Sequence, residues 1–293
     1  MKKLAILFLS GILLLSAPLT VLADSSSANQ TYISLGADLN QQERATVLNL
    51  LGVTEQELSN YKVTKVTNKE EHEYLDGYLS SSIIGSRALS SVKIVGKEDG
   101  YGVKVSTKNI TYCTTEMYQN ALVTAGIENA EVNVVGPFGI SGTAGLVGAI
   151  KSYEEMTGKK VSEKSADTAT NELVITSDIG KDLEDPEKAA ELVAFVKNEV
   201  VAQNLTEEEI GELVDEASAE FEINLSEEDR QRIIDLMEKI KDLDLDVNQL
   251  QEQISNLYDR LDSMGLDINS EQVQGFLDKL IDLIKSFIDK LTN

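Results

Sequence analysis

Hydrophobic periodicity changes character once along this chain, and that change most constrains the fold. Strand-like and helix-like segments are interleaved as far as Thr157, whereas from Gly158 onward nearly every pattern is helical. Alternation with a period of two and a repeat near 3.6 bury different faces, so each stretch dictates its own packing partner. Two β-rich stretches, Ala88–Val95 and Tyr101–Thr107, flank the turn residues Gly96–Gly100 and read as a hairpin. A hairpin within a mixed series predicts an α+β domain over residues 31–157 with a mixed or mainly antiparallel sheet. An all-α helical bundle or hairpin region is expected over 158–293.

Strands are expected over Thr31–Leu35 and Tyr61–Thr67, with a further extended piece over Asn109–Cys113 and a short strand over Glu131–Val135. Capping pairs place helix starts at Asn40 with Glu43, Thr54 with Glu57, Asn68 with Glu71, Thr206 with Glu209 and Ser226 with Asp229. Helices are also expected over Thr115–Ala125, from near Thr143 to Met156, and from Asp185-Pro186 to Gln203. Thr168–Ile179 reads either as helix or, through Leu173–Thr176, as strand. Val247, Leu250, Ile254, Leu257, Leu261 and Met264 step by three and four, and a last amphipathic helix carries Phe276 to Leu291. The run is short for a coiled coil, and a bundle explains it equally well.

The amino terminus carries an address. Met1-Lys2-Lys3, an apolar run from Leu4 to Leu15 and Val21-Leu22-Ala23 form a secretory signal peptide over residues 1–23. The run is shorter than the about 20 residues that span a bilayer, so no transmembrane anchor is expected after cleavage. A serine-rich, disordered start is expected over 24–30. Localisation is therefore read as secreted or extracellular, including retention in the cell-wall space. A single cysteine, Cys113, leaves burial rather than an internal disulfide to hold the fold together, and a packed thiol is its expected role. Net charge is −24, of which −20 falls on residues 158–293. That excess repels nucleic acid and anionic membrane surfaces and is compatible with weak divalent-cation association.

Several segments together resemble one family. They are Ser34-Leu35-Gly36-Ala37-Asp38-Leu39 with Glu43-Arg44, Gly85-Ser86-Arg87-Ala88-Leu89-Ser90-Ser91, Met117–Leu122 with Thr124–Ile127, and Pro137-Phe138 with Ser141-Gly142-Thr143-Ala144. In order and spacing they are similar to the YpuA-like exported proteins of Gram-positive bacteria, the domain of unknown function DUF1002. The resemblance implies export and a shared fold, and it carries no activity and no site residues.

Chemistry-bearing motifs are few. Glycines 136, 139, 142, 145 and 148 recur every third residue between a strand and a helix, where main-chain N–H groups can face an anion. Without a Gly-Lys-Ser/Thr ending this is no phosphate loop, and close packing is the plainer explanation. If the first domain holds a ligand site, Gly139, Ser141, Gly142 and Thr143 are its expected rim. His72, the one histidine, lies in an acidic helix expected to face solvent. One histidine and one cysteine exclude zinc sites built from several of either. Ser90 and Lys93 match a Ser-x-x-Lys spacing within a strand, without companion motifs. Asp242, Asp244 and Asp246 lack the glycine and glutamate of a calcium loop, since Val247 and Gln253 stand there. No catalytic residue, metal site or cofactor is therefore assigned.

The function read from the sequence is that of an exported, non-catalytic binding or interaction protein. Its partner would be a protein or a cell-wall component, with self-association through the C-terminal helices as a further expectation. The competing expectation is a carboxylate-dependent secreted hydrolase acting on an envelope polymer.

Overall fold

The computed structural model describes residues 27–243 and residue 245. The leader, Asp244, Asp246 and the helical patterns expected over 247–291 lie outside the described residues. Ser27–Gln30, within the expected disordered start, form a turn whose Asn29 N–H donates to Gly96 O at 2.8 Å, while Gly96 N–H donates to Gln30 O at 2.9 Å.

The elements begin with β1 (Thr31–Gly36), α1 (Gln41–Leu50), a single 3₁₀ turn (Glu57–Asn60), β2 (Lys62–Val66), α2 (Asn68–Leu75) and a short α3 (Ser81–Ile84). β3 (Ser91–Gly96), β4 (Val103–Ile110), α4 (Thr115–Thr124), β5 (Ala130–Ile140) and α5 (Ala144–Thr157) follow. Four helices then succeed one another: α6 (Glu163–Asp182), α7 (Pro186–Gln203), α8 (Glu207–Glu220) and α9 (Glu227–Lys241). The open segment Thr168–Ile179 is thus the middle of α6. Val174 and Ile175 are buried there on neighbouring helices, so packing overrides their strand propensity.

The sheet is mixed, in the order β2-β1-β3-β5-β4, with β3 antiparallel to both neighbours and the other pairs parallel. The expected β3–β4 hairpin does not form, because β5 lies between the two strands. Burial explains the insertion. Val132 and Val134 pack on α4 and α5, whereas Val135 packs with α1 on the opposite face, so β5 needs neighbours on both sides. β4 exposes Lys104, Ser106 and Lys108 and takes an edge, as β2 does with exposed Lys62 and Lys65. β1 is equally two-faced: Tyr32 belongs to the core beneath α4 and α5, Ile33 and Leu35 to the core beneath α1.

Helix starts follow the capping residues. Asn40 and Glu43, and Thr206 and Glu209, make reciprocal capping boxes. α2 corrects the expected pair by one residue. Thr67 is its cap, with Glu70 Oε2 accepting from Thr67 N–H at 2.8 Å. Glu71 is thereby turned inward.

Apolar contact crosses residue 157. Ala166, Ala169, Leu173 and Ala190 join the core formed by β3, β5, α4 and α5, while a second apolar core lies among α6–α9. At this seam Lys197 and Glu172 are fully buried and paired at 2.8 Å. Lys197 Nζ also donates to Asn120 O at 3.0 Å and Thr124 Oγ1 at 3.2 Å, and the Thr124 hydroxyl donates to the other Glu172 oxygen. Each ammonium proton has an acceptor, which is what a buried charge requires. Burial lowers the Lys197 pKa below its ordinary value. α4, α6 and α7 are thus clamped at one point. Lys197→Met should lower the unfolding free energy in urea by about 3–5 kcal/mol, because it strands the Glu172 carboxylate. Adding Glu172→Leu should recover most of that loss; a double variant no better than the single would contradict the pairing.

Candidate functional site

Because β1, β2, β4 and β5 are parallel, their carboxyl ends share one edge of the sheet, and α1, α2, α4 and α5 start from that edge. In open sheets of this kind ligands bind outside the carboxyl ends of the strands. A cleft of about 450 Å³ lies there. Ser82–Arg87 form one side, Leu89 and Ser90 lead into β3, and Thr111, Tyr112, Ile140 and Ser141 come from the ends of β4 and β5. Glu71 of α2 completes the lining.

Glu71 is 2% exposed. Its Oε1 accepts from the Thr143 hydroxyl at 2.6 Å, and its carboxyl also accepts from Asn68 Nδ2 at 3.4 Å and from the Ala144 N–H. Thr143, the residue in capping position for α5, makes no side-chain cap bond of its own. A carboxyl from α2 therefore serves the start of α5, where the helix dipole favours negative charge. Burial nevertheless outweighs these bonds and raises the Glu71 pKa above the ordinary 4.5. Arg87, exposed beside the cleft, donates through Nη2 to Asp38 O at 2.7 Å and to the Glu43 carboxylate.

The expected rim residues fall into different roles. Ser141 lines the cleft, and its Oγ lies 3.2 Å from Thr143 Oγ1. Thr143 is buried and stands behind the lining, in contact with Glu71 and Ser141. Gly142 has φ +99°, and a Cβ there would come within 2.5 Å of Ile110 Cγ2 and 2.6 Å of the Tyr118 hydroxyl, which donates to Gly142 O. Close packing therefore accounts for that glycine. Gly139 is exposed, and residues 136–140 continue β5 rather than forming a free loop.

Other motifs are accounted for by their neighbours. The buried Cys113 thiol is pushed up to about 12, mainly by desolvation, so it is protonated and inert at neutral pH. Ser90 lines the cleft, whereas Lys93 donates to Leu51 O at 2.7 Å beside α1. His72, expected to face solvent, is half-buried, with Nδ1 2.6 Å from Asp76 Oδ1 and Nε2 3.2 Å from Gly85 O. Asp76 is the main reason its pKa is raised. Asp242 pairs with Lys164 at 2.9 Å. Among the described residues no helix is long and apolar enough to cross a membrane.

Sequence reading missed Glu71, Arg87, Tyr112 and the cleft itself. The signal for Glu71 was present: of two adjacent glutamates only one can close the Thr67 box, and the other turns about 100° round the helix, toward the core.

The raised Glu71 pKa has a sign that can be checked. The folded chain binds this proton more readily than the unfolded chain. Its contribution is therefore complete below about pH 4.5 and is lost as pH rises through the folded value. The Tm of the natural protein minus that of Glu71→Gln should fall as pH rises from about 4.5. A difference that stays flat between about pH 4 and about pH 8 would contradict the assignment.

No solved structure matches the chain. The family model described as "Protein of unknown function (DUF1002)" matches residues 35–257. A Bacillus subtilis (strain 168) protein described as "Uncharacterized protein YpuA" is 37% identical over 289 residues, covering 98% of this chain and 97% of that protein. On both matches, the chain belongs to the DUF1002 family of proteins of unknown function.

Proposed function

We propose that the chain is an exported, non-catalytic binding protein that takes an uncharged, hydrogen-bonding ligand of the extracellular or cell-wall space in the cleft at the carboxyl edge of the sheet. The observation that carries this reading is the state of the cleft's charges. Glu71 is buried and bonded to Thr143 and the start of α5, and the exposed Arg87 has its charge paired with Glu43 and donates to Asp38 O. What the lining offers a ligand is a set of hydroxyls, from Ser82, Ser86, Ser90, Thr111 and Ser141, beside the apolar bodies of Ile83, Leu89 and Ile140. A hydroxyl can donate once and accept twice, so one existing bond does not exhaust it. Few polar groups converging in a largely preformed concavity is the usual form of a small-ligand site.

Export rests on the leader over residues 1–23. The carboxylate-hydrolase alternative would cast Glu71 as its acid, since burial raises its pKa in the direction a general acid needs. Two-carboxylate hydrolysis asks for a partner acid about 5–9.5 Å away, and among the described residues Glu71 is the one acid of the cleft lining. Binding is therefore the better-supported reading.

Calorimetric titration of the mature protein with soluble fragments from a cell-wall digest tests it. The natural protein should bind, and Ser141→Phe, which fills the cleft, should bind at least about ten-fold more weakly, about 1.4 kcal/mol, with its Tm unchanged. Equal binding by both proteins, or steady release of reducing ends from the fragments, would overturn the reading.

A further inference from the structure

Beside the cleft, β5 leaves the ladder in a way that displays one side chain. Lys108 of β4 pairs with Val135 and Ile110 with Ile140, so Asn109 alone faces Gly136, Pro137, Phe138 and Gly139. This is a large bulge, a device that re-aims side chains at the ends of sheets. It is also a fixed one. Asn109 has φ +61°, and its Nδ2 donates to Gly136 O at 3.0 Å. A Cβ on Gly136 would lie 2.8 Å from both Asn109 O and Phe138 O and 2.7 Å from Ile140 Cγ1, so only glycine fits that corner. Phe138 is 50% exposed, whereas Phe195 and Phe221 are buried against each other. Ile140 and Ser141, two and three residues beyond Phe138, line the cleft, so the phenyl ring's backbone lies within about 10 Å of chain from it.

We infer that Phe138 is an aromatic platform at the rim and that the ligand of the cleft is a neutral saccharide of more than one sugar ring. This rests on the binding reading of the cleft and deepens it. An uncharged ligand fits best, because Glu71 is buried and bonded, Arg87 is paired with Glu43, and the chain's net charge of −24 repels anions. It must make many hydrogen bonds, to match the lining hydroxyls. It must also present an apolar face to an exposed phenyl ring. A pyranose meets all three demands: its axial C–H groups lie over the ring's negative face while its hydroxyls point sideways. One ring stacks on Phe138 and the next enters the cleft.

The probes are N-acetylglucosamine oligomers and a panel of neutral gluco- and galacto-oligosaccharides, titrated into the mature protein. Binding should weaken about ten-fold in Phe138→Ala, persist in Phe138→Tyr, and vanish in Ser141→Phe, with unchanged Tm in the two Phe138 variants. Saccharide binding lost in Ser141→Phe but untouched in Phe138→Ala overturns the platform and leaves the cleft standing. Binding of wall peptides but of no saccharide, still blocked by Ser141→Phe, overturns the ligand class alone. If no wall fragment binds in a manner that Ser141→Phe blocks, the platform and the cleft reading both fall.

Discussion

The arrangement depends first on the buried Lys197–Glu172 pair. It draws α4, which lies against the sheet, together with α6 and α7, which belong to the acidic helical half. An unpaired charge at that depth would be intolerable, so the three helices can meet in one register only. The consequence reaches the cleft through α6. Val174 of α6 packs with Leu75, Leu79 and Ile84, the apolar side of the α2–α3 segment, and Asp167 accepts from the Tyr78 hydroxyl at 2.6 Å. The cleft wall contributed by α2 and α3 therefore leans on a helix from the other side of residue 157. The site is at the sheet edge, but part of its shape comes from the helical half.

Charge plays two separate roles in this chain. Over the surface it is an acidic excess that is largely solvated, with exposed pairs such as Lys69 and Glu73 contributing little. Elsewhere single charged groups act as connectors: the buried Lys197 between helices, the buried Glu71 between α2 and α5, and the exposed Arg87 between the α3 loop and α1 through Glu43. Lys197 and Glu71 are satisfied within the protein. The cleft beside them is lined mainly by hydroxyls and apolar carbon.

Much of the fold was legible where local physics decides. Asn40 with Glu43, Thr206 with Glu209, and Asp185 before Pro186 each fixed a helix start, because capping is a matter of three or four residues. Where tertiary pairing decides, local signals misled. Gly96–Gly100 has the chemistry of a turn, yet β5 separates the strands it joins, since only β5 carries apolar groups for both faces of the sheet at that point. Of the candidate cleft, the glycine-rich stretch pointed at Ser141, which lines it, and at Thr143, which stands behind Glu71. Glu71 was hidden by a one-residue slip in the capping frame. Phe138 could not be recognised at all, because its exposure follows from the register between β4 and β5, which no single segment encodes.

Native-state hydrogen exchange across increasing urea tests most directly whether the helical half holds the cleft wall. The amides of Asp76, Leu79 and Ile84 donate within the α2–α3 segment, to His72 O, Leu75 O and Ser80 O. If the wall stands because α6 stands, these amides and those of the middle of α6 should exchange through one opening, with the same free energy and the same urea dependence. Exchange of the α2–α3 amides through a separate opening of much lower free energy, with α6 still protected, would contradict the account.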